Sequence, residues 1–126
     1  MTIEALWLLG RLCIGALFVA GALHHCVAFA QVAQQVAARG VPMPRLVLAI
    51  GSLWQATAGV LLVLNIQVVY AALALVAFTL VASLMLLDFW NMQGAERTGM
   101  LTSWRLNIAV IGGLLITTAY GLARGA

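Results

Sequence analysis

Residues 87–115 read LDFWNMQGAERTGMLTSWRLNIAVIGGLL, and this stretch separates two long apolar runs. It contains two of the chain's three acids, Asp88 and Glu96, and two of its six arginines, Arg97 and Arg105. Nearly everywhere else the sequence consists of Leu, Ala, Val, Ile and Gly. A polar segment set between apolar runs predicts helices that cross a membrane, and it is the first place to look for chemistry.

The composition is typical of an integral membrane protein. Of the 126 residues, 65% are hydrophobic and 7% are charged, whereas soluble domains carry about 25% charged residues. The chain has no lysine, so its net charge of +3 depends on arginine alone. Such sparse cations exclude a nucleic-acid-binding surface, which needs clustered cations to neutralise phosphates.

Four apolar runs approach the roughly 20 residues that a helix needs to cross a bilayer core. They cover residues 5–23, 46–64, 68–87 and 106–122. Each run must be helical, because a strand in lipid would leave backbone N–H and C=O groups unpaired. The sequence therefore predicts an all-α fold, a four-transmembrane-helix bundle in one domain (1–126) with both termini on the same side of the membrane.

A shorter helix is expected over residues 27–39, between spans one and two. Its glutamines Gln31, Gln34 and Gln35 fall on one helical face and its apolar side chains on another. That pattern predicts an amphipathic helix at the membrane interface. Gly40 is expected to end it as a C-cap.

The arginines carry information about sidedness. Arg39, Arg45, Arg97 and Arg105 flank the loops after spans one and three, whereas Arg124 lies on the opposite side. The positive-inside rule then places the two longer loops in the cytoplasm and both termini outside.

Arg11 is the one charge that falls inside a predicted span. A charge at mid-membrane costs at least about 2.5–3.5 kcal/mol, so such residues face a partner or a cavity. Two readings stay open for Arg11. It either snorkels or forms a structural pair, or it lines a cavity and binds an anion, a quinone carbonyl or a lipid head group.

The His24-His25-Cys26 segment ends the first span. Adjacent residues on a helix point about 100° apart, so one helix cannot direct both histidines at one metal ion. Two isolated cysteines do not form a metal motif either, and no metal site is predicted. A histidine here is either an interfacial side chain without chemistry or a polar-site residue that bonds Asp88 or shuttles protons.

Gln55 and Asp88 are the remaining candidates for a polar site. Gln55 either makes a hydrogen bond between helices, as is common in membranes, or faces a pocket. Asp88 is either hydrated at the interface or paired with Arg105 or Arg11.

Taken in order, these residues resemble the DoxX family of small four-helix membrane proteins. The matching pattern consists of Arg11, Gly15, Phe18 and Gly21, then Gly40-Val41-Pro42, Gly51 and Gly59, and finally Asp88-Phe89-Trp90, Asn107 and Gly112-Gly113-Leu114-Leu115. The resemblance covers nearly the whole chain, and its ordered set of motifs is more specific than any single glycine.

The chain departs from the family pattern at three charged positions. His24 stands where the family often has lysine, and Gln55 stands where it often has glutamate. Leu106 replaces a lysine that often precedes the asparagine, and Arg105 lies one position earlier. A charge-dependent activity of relatives does not transfer directly to this chain.

The resemblance implies a membrane subunit close to quinone or sulfur redox chemistry, since the family is named for a subunit associated with a terminal quinol oxidase and thiosulfate:quinone oxidoreductase. We hypothesise a bacterial inner-membrane subunit, not an enzyme by itself, with a polar pocket at the end of the bundle where loops one and three lie. A quinone-like or lipid head group would bind there, with the cofactor otherwise unspecified. The pocket residues would be Arg11, His24, Gln55, Asp88, Arg105 and Asn107.

An alternative from another functional class stays open. The chain could serve as a non-catalytic membrane anchor or assembly subunit, with its polar groups purely structural. In either case the expected contacts are the bilayer and other membrane or peripheral redox subunits, or a second copy of the chain.

Overall fold

The computed structural model describes residues 2–125, which form five α-helices and one 3₁₀ turn. The helices are α1 (Ile3–Val27), α2 (Phe29–Ala38), α3 (Pro44–Val63), α4 (Val68–Leu86) and α5 (Gly94–Ala123), and the 3₁₀ turn covers Phe89–Asn91. Four of the helices are long and apolar enough to cross a membrane. This confirms the predicted all-α fold of four spans with a short helix between spans one and two.

The spans pack in the order α1, α3, α4, α5, and α1 also touches α5. Leu62, Leu75 and Leu114 are fully buried where these helices meet. The outer faces carry exposed Leu, Ile and Val side chains, which contact lipid. In such a solvent the helices associate through close packing and interhelical hydrogen bonds rather than through the hydrophobic effect.

Two glycines allow α1 to lie directly on α3. A β-carbon on Gly15 would lie 2.9 Å from the carbonyl oxygen of Gly59, and one on Gly59 would lie 3.2 Å from that of Gly15. The two backbones are therefore in contact at this crossing, in the manner of small-residue packing in membranes.

The short helix α2 has the two faces that its sequence predicts. Val32, Ala33 and Val36 are buried, while Gln31, Gln34 and Gln35 are exposed. The helix packs on α3, α1 and α4, so it covers one end of the bundle. Arg39 is its C-cap, and Gly40 follows with a φ of 79°, a left-handed conformation that glycine adopts without steric cost.

The last helix begins earlier than the hydropathy suggested. It starts at Gly94, whereas residue 106 was expected, so Glu96 and Arg97 lie on a helix rather than in a loop. Hydropathy marks the part of a helix that lies in lipid and does not detect a polar extension of the same helix. With about 1.5 Å of rise per residue, the 30 residues of α5 exceed the length needed to cross the bilayer core.

The bundle has two distinct ends. At the α2 end lie α2, the 3₁₀ turn and the start of α5; at the termini end lie the start of α1, the end of α5 and the turn 64–67 between α3 and α4. These names are used below.

Candidate functional site

A cavity of about 420 Å³ lies beneath α2 and is lined by residues of all five helices. We call it the α2 cavity. Most of its wall is apolar, with Phe18, Leu48, Phe78 and Val110 among the lining side chains. Its volume falls in the range of about 300–1,000 Å³ that is usual for small-molecule sites.

Five polar side chains interrupt this apolar wall. They are His25, Ser52, Gln55, Thr79 and Asn107. The His25 Nδ1 atom lies 3.0 Å from the Ser52 hydroxyl oxygen. Either group can donate in this pair, because the neutral imidazole exists in two tautomers and the hydroxyl both donates and accepts. The pair joins α1 to α3 at the cavity wall.

Gln55 is held against α1 by a close approach of the two helices. Its Nε2 atom donates to the carbonyl oxygen of Phe18 at 2.9 Å. A β-carbon on Gly21 would lie 2.4 Å from that nitrogen, so the absence of a side chain at Gly21 makes room for the amide. The Gln55 side chain is only 6% exposed, and its Oε1 atom has no hydrogen-bond partner within residues 2–125.

The other two polar groups of the wall, Asn107 and Thr79, also have hydrogen-bond partners in the protein. Asn107 Nδ2 on α5 donates to the Ser83 hydroxyl on the neighbouring α4 at 2.8 Å, whereas the Thr79 hydroxyl donates within α4, to the Leu75 carbonyl at 2.8 Å. The nitrogens of both wall amides are thus engaged by protein acceptors. The Gln55 oxygen is left without a protein partner within residues 2–125, and the His25–Ser52 pair is a further polar group of the wall.

An ion pair fastens α2 over the cavity. Arg39 Nε lies 3.0 Å from Asp88 Oδ1, so the C-cap of α2 is tied to the residue that precedes the 3₁₀ turn after α4. Asp88 therefore pairs with Arg39. It is neither simply hydrated nor paired with Arg105 or Arg11, the alternatives that the sequence analysis left open. The reason is that α2 folds back across the bundle and brings its C-terminus to the end of α4.

Arg11 belongs to the termini end and does not line the α2 cavity. Its Nη1 atom donates to the carbonyl oxygens of Leu62 and Val63 at 3.2 and 2.9 Å. These carbonyls lie in the last turn of α3, where the helix dipole favours a cation. The guanidinium also lies 5.3 Å from the centroid of the Trp7 ring. Arg11 therefore caps α3, and its other reading, the binding of an anion or a lipid head group, stays a prediction.

The six residues predicted from the sequence do not share one cavity. Gln55 and Asn107 line it, Asp88 lies beside it in the ion pair, and Arg11 lies at the opposite end. His24 and Arg105 are exposed and absent from the wall. Whether any of the six binds a ligand stays a prediction.

The sequence analysis missed His25, Ser52 and Thr79. A signal for His25 was present, because the buried residues of α1 repeat at intervals of four and three: Arg11, Gly15, Phe18 and Ala22. The next step of that series is residue 25. His24 lies about 100° away on the same helix, which turns it toward lipid.

Within residues 2–125 no three His, Cys, Asp or Glu side chains converge on a metal site, and both Cys13 and Cys26 are free thiols.

At the termini end the Arg124 guanidinium donates to Glu4 and to the Tyr120 hydroxyl. These hydrogen bonds, that of Glu4 first, raise the pKa of Arg124 above its ordinary value.

Comparison with known proteins gives one positive result. The family model described as DoxX matches residues 6–88, which cover α1 from residue 6 onward, all of α2 to α4, and Asp88. No curated protein and no solved structure is significantly similar to the chain.

Proposed function

Because the chain belongs to the DoxX family of membrane proteins, we propose that it is a membrane subunit of a quinone- or sulfur-linked redox assembly. Its own part would be to bind a quinone-like head group in the α2 cavity. The observation that carries the proposal is the presence of polar side chains, among them His25, Ser52 and Gln55, in a wall that is mostly apolar. A quinone pool in a bacterial inner membrane would supply the ligand.

The size and polarity of the cavity suit an aromatic ring with oxygen substituents. The ring centroids of Phe18 and Phe78 lie 6.4 Å apart in an edge-to-face arrangement in the wall. Aromatic rings pack favourably with one another. Small-molecule sites combine an apolar lining with a few polar groups that fix orientation. The α2 cavity likewise combines a mostly apolar wall with a few polar side chains.

The hydrogen-bonding groups fit both redox forms of such a ring. A quinone carbonyl needs a hydrogen-bond donor, and the Ser52 hydroxyl can donate to it in the tautomer in which His25 Nδ1 carries the proton. A hydroquinone hydroxyl needs an acceptor, and the Ser52 oxygen can accept from it in the other tautomer, in which the Ser52 hydroxyl donates to His25 Nδ1. The Gln55 oxygen is a second acceptor. Leaving a buried acceptor unpaired costs about 1–3 kcal/mol, and a ligand hydroxyl that donates to the Gln55 oxygen would remove this cost.

Two adjacent histidines allow a matched test. The purified full chain in nanodiscs is titrated with a short-chain quinone, and binding is compared for His25→Ala and His24→Ala. Loss of one hydrogen bond worth about 0.5–1.5 kcal/mol weakens binding roughly two- to tenfold, so we expect this effect for His25→Ala. His24→Ala should bind as the unchanged chain does. Equal affinities of the two variants, or no binding by the unchanged chain, would contradict the proposal.

Membership of a redox assembly needs a second experiment. The chain is isolated from its native membrane in mild detergent, and co-purified proteins and extracted quinones are identified. A redox subunit together with bound quinone supports the proposal. A stable partner without any quinone would instead favour a non-catalytic anchor, whose apolar outer faces would bind partner helices.

A further inference from the structure

A second cluster of polar side chains lies at the termini end, remote from the α2 cavity. It consists of Glu4, Trp7 and Arg11 on α1 with Tyr120 and Arg124 at the end of α5, and we call it the Trp7 cluster. The guanidinium carbons of Arg11 and Arg124 lie 5.3 and 5.7 Å from the centroid of the Trp7 ring. The Tyr120 ring packs against the same indole, with centroids 4.7 Å apart.

The cluster has more cationic charge and more donors than its own residues satisfy. Glu4 is paired with Arg124, which leaves Arg11 without a carboxylate partner within residues 2–125. The net charge of the cluster is therefore +1, although Arg11 is only 7% exposed. Arg11 Nε and Trp7 Nε1 are buried donors that find no acceptor in the same part of the chain.

The depth of the cluster can be read from its contacts. Arg11 donates to the carbonyls of Leu62 and Val63, where α3 ends, and Arg124 is the C-cap of α5. Both guanidinium groups thus lie at the level where spans leave the membrane, and lipid phosphates occupy that same level. Basic sites between transmembrane helices bind anionic lipid head groups in this way.

We propose that the Trp7 cluster binds the phosphate of an anionic phospholipid. The phosphate oxygens accept from Arg11 and Arg124, and such charge-assisted hydrogen bonds are about twice as strong as neutral ones. Glu4 competes with the phosphate for Arg124, so it limits the affinity of the site. The proposal is independent of quinone binding, because no residue of the Trp7 cluster lines the α2 cavity.

The test is a titration of the purified full chain in neutral detergent with short-chain phosphatidylglycerol, followed by native mass spectrometry. Short-chain phosphatidylcholine is the zwitterionic reference, and inorganic phosphate is the lipid-free anion. One basic residue near a membrane surface contributes about 1 kcal/mol, or roughly fivefold in affinity. We expect phosphatidylglycerol to bind about fivefold more tightly than phosphatidylcholine.

Four substitutions give different expectations. Glu4→Gln raises the net charge of the cluster and should tighten phosphatidylglycerol binding about fivefold, whereas Arg124→Gln should abolish the preference over phosphatidylcholine. Arg105→Gln should change nothing, because Arg105 is exposed on α5, about 28 Å along the helix from Arg124. Arg11→Lys keeps the charge but loses the planar fork of donors, so it should weaken binding without reversing the preference.

The outcomes are decisive in each direction. A preference that tightens with Glu4→Gln and disappears with Arg124→Gln supports the proposal, and a purely structural role of the cluster would not produce that pair of shifts. Equal affinity for the two lipids overturns the proposal. Displacement of phosphatidylglycerol by an equal concentration of inorganic phosphate also overturns it, since the ligand would then be the free anion.

Discussion

The contact between Gly15 and Gly59 makes the α1–α3 crossing sensitive to a single methyl group. In Gly15→Ala the new β-carbon would lie 2.9 Å from the Gly59 carbonyl oxygen and would also collide with Val63 Cγ2. The valine side chain can rotate away, but the Gly59 oxygen is backbone and moves only with α3. The substitution therefore forces the two helices apart.

The loss of stability in Gly15→Ala can be isolated by comparison with Gly10→Ala on the same helix. A β-carbon on Gly10 would have no atom within 4 Å, and both substitutions gain the same helix propensity of about 1 kcal/mol. The difference between them isolates the clash, and overpacking costs about 1–3 kcal/mol. Because one of the two clashes is with backbone, we expect Gly15→Ala to be less stable than Gly10→Ala by about 2 kcal/mol.

The assay is equilibrium unfolding by sodium dodecyl sulfate in mixed micelles, followed by far-ultraviolet circular dichroism. Gly10→Ala should unfold at or above the detergent fraction of the unchanged chain, and Gly15→Ala below it. Coincident transitions for the two variants would refute the close crossing of α1 and α3.

Three further predictions concern other contacts. Asp88→Asn breaks the ion pair between Asp88 and Arg39 and should destabilise α2 by up to about 1 kcal/mol, which would be measured as faster amide hydrogen exchange over α2. Glu96→Gln is the control. Equal exchange rates in the two variants would contradict a stabilising role of the ion pair. Arg11→Met removes two hydrogen bonds from the end of α3 and should cost about 2 kcal/mol in the detergent assay, whereas an unchanged transition would exclude the cap. In a Cys13→Ser background, a membrane-impermeant maleimide should label Cys26 in inside-out vesicles but not in intact cells; labelling of intact cells would reverse the assigned orientation.

Much of the fold could be predicted from hydropathy and from the few glycine and proline residues at which helices end or begin. The start of α3 at Pro44 and the left-handed Gly40 correspond to residues whose backbone preferences are strong. The start of α5 was less predictable, because the residues from Gly94 onward mix charges with helix formers. Hydropathy alone does not distinguish a solvated helix from a loop.

The site was less predictable than the fold, for a geometric reason. Sequence reasoning selected polar residues by type and by distance from a span end, which grouped Arg11 and Arg105 with Gln55. What decides membership of a cavity is the helical face. His25 continues the buried series of α1, whereas His24 does not. The partner of Asp88 depended on how α2 folds back to place Arg39, and no local pattern specifies that turn.

Two wall residues of the α2 cavity, Leu17 on α1 and Val81 on α4, are each 55% exposed. Part of the wall therefore belongs to the surface that faces lipid, and an apolar ligand of the kind proposed would enter from the bilayer. Occupancy would then depend on the mole fraction of that ligand in the membrane rather than on its aqueous concentration. Diluting the protein with detergent micelles lowers that mole fraction, so an apparent Kd in micelles rises in proportion to the amount of detergent.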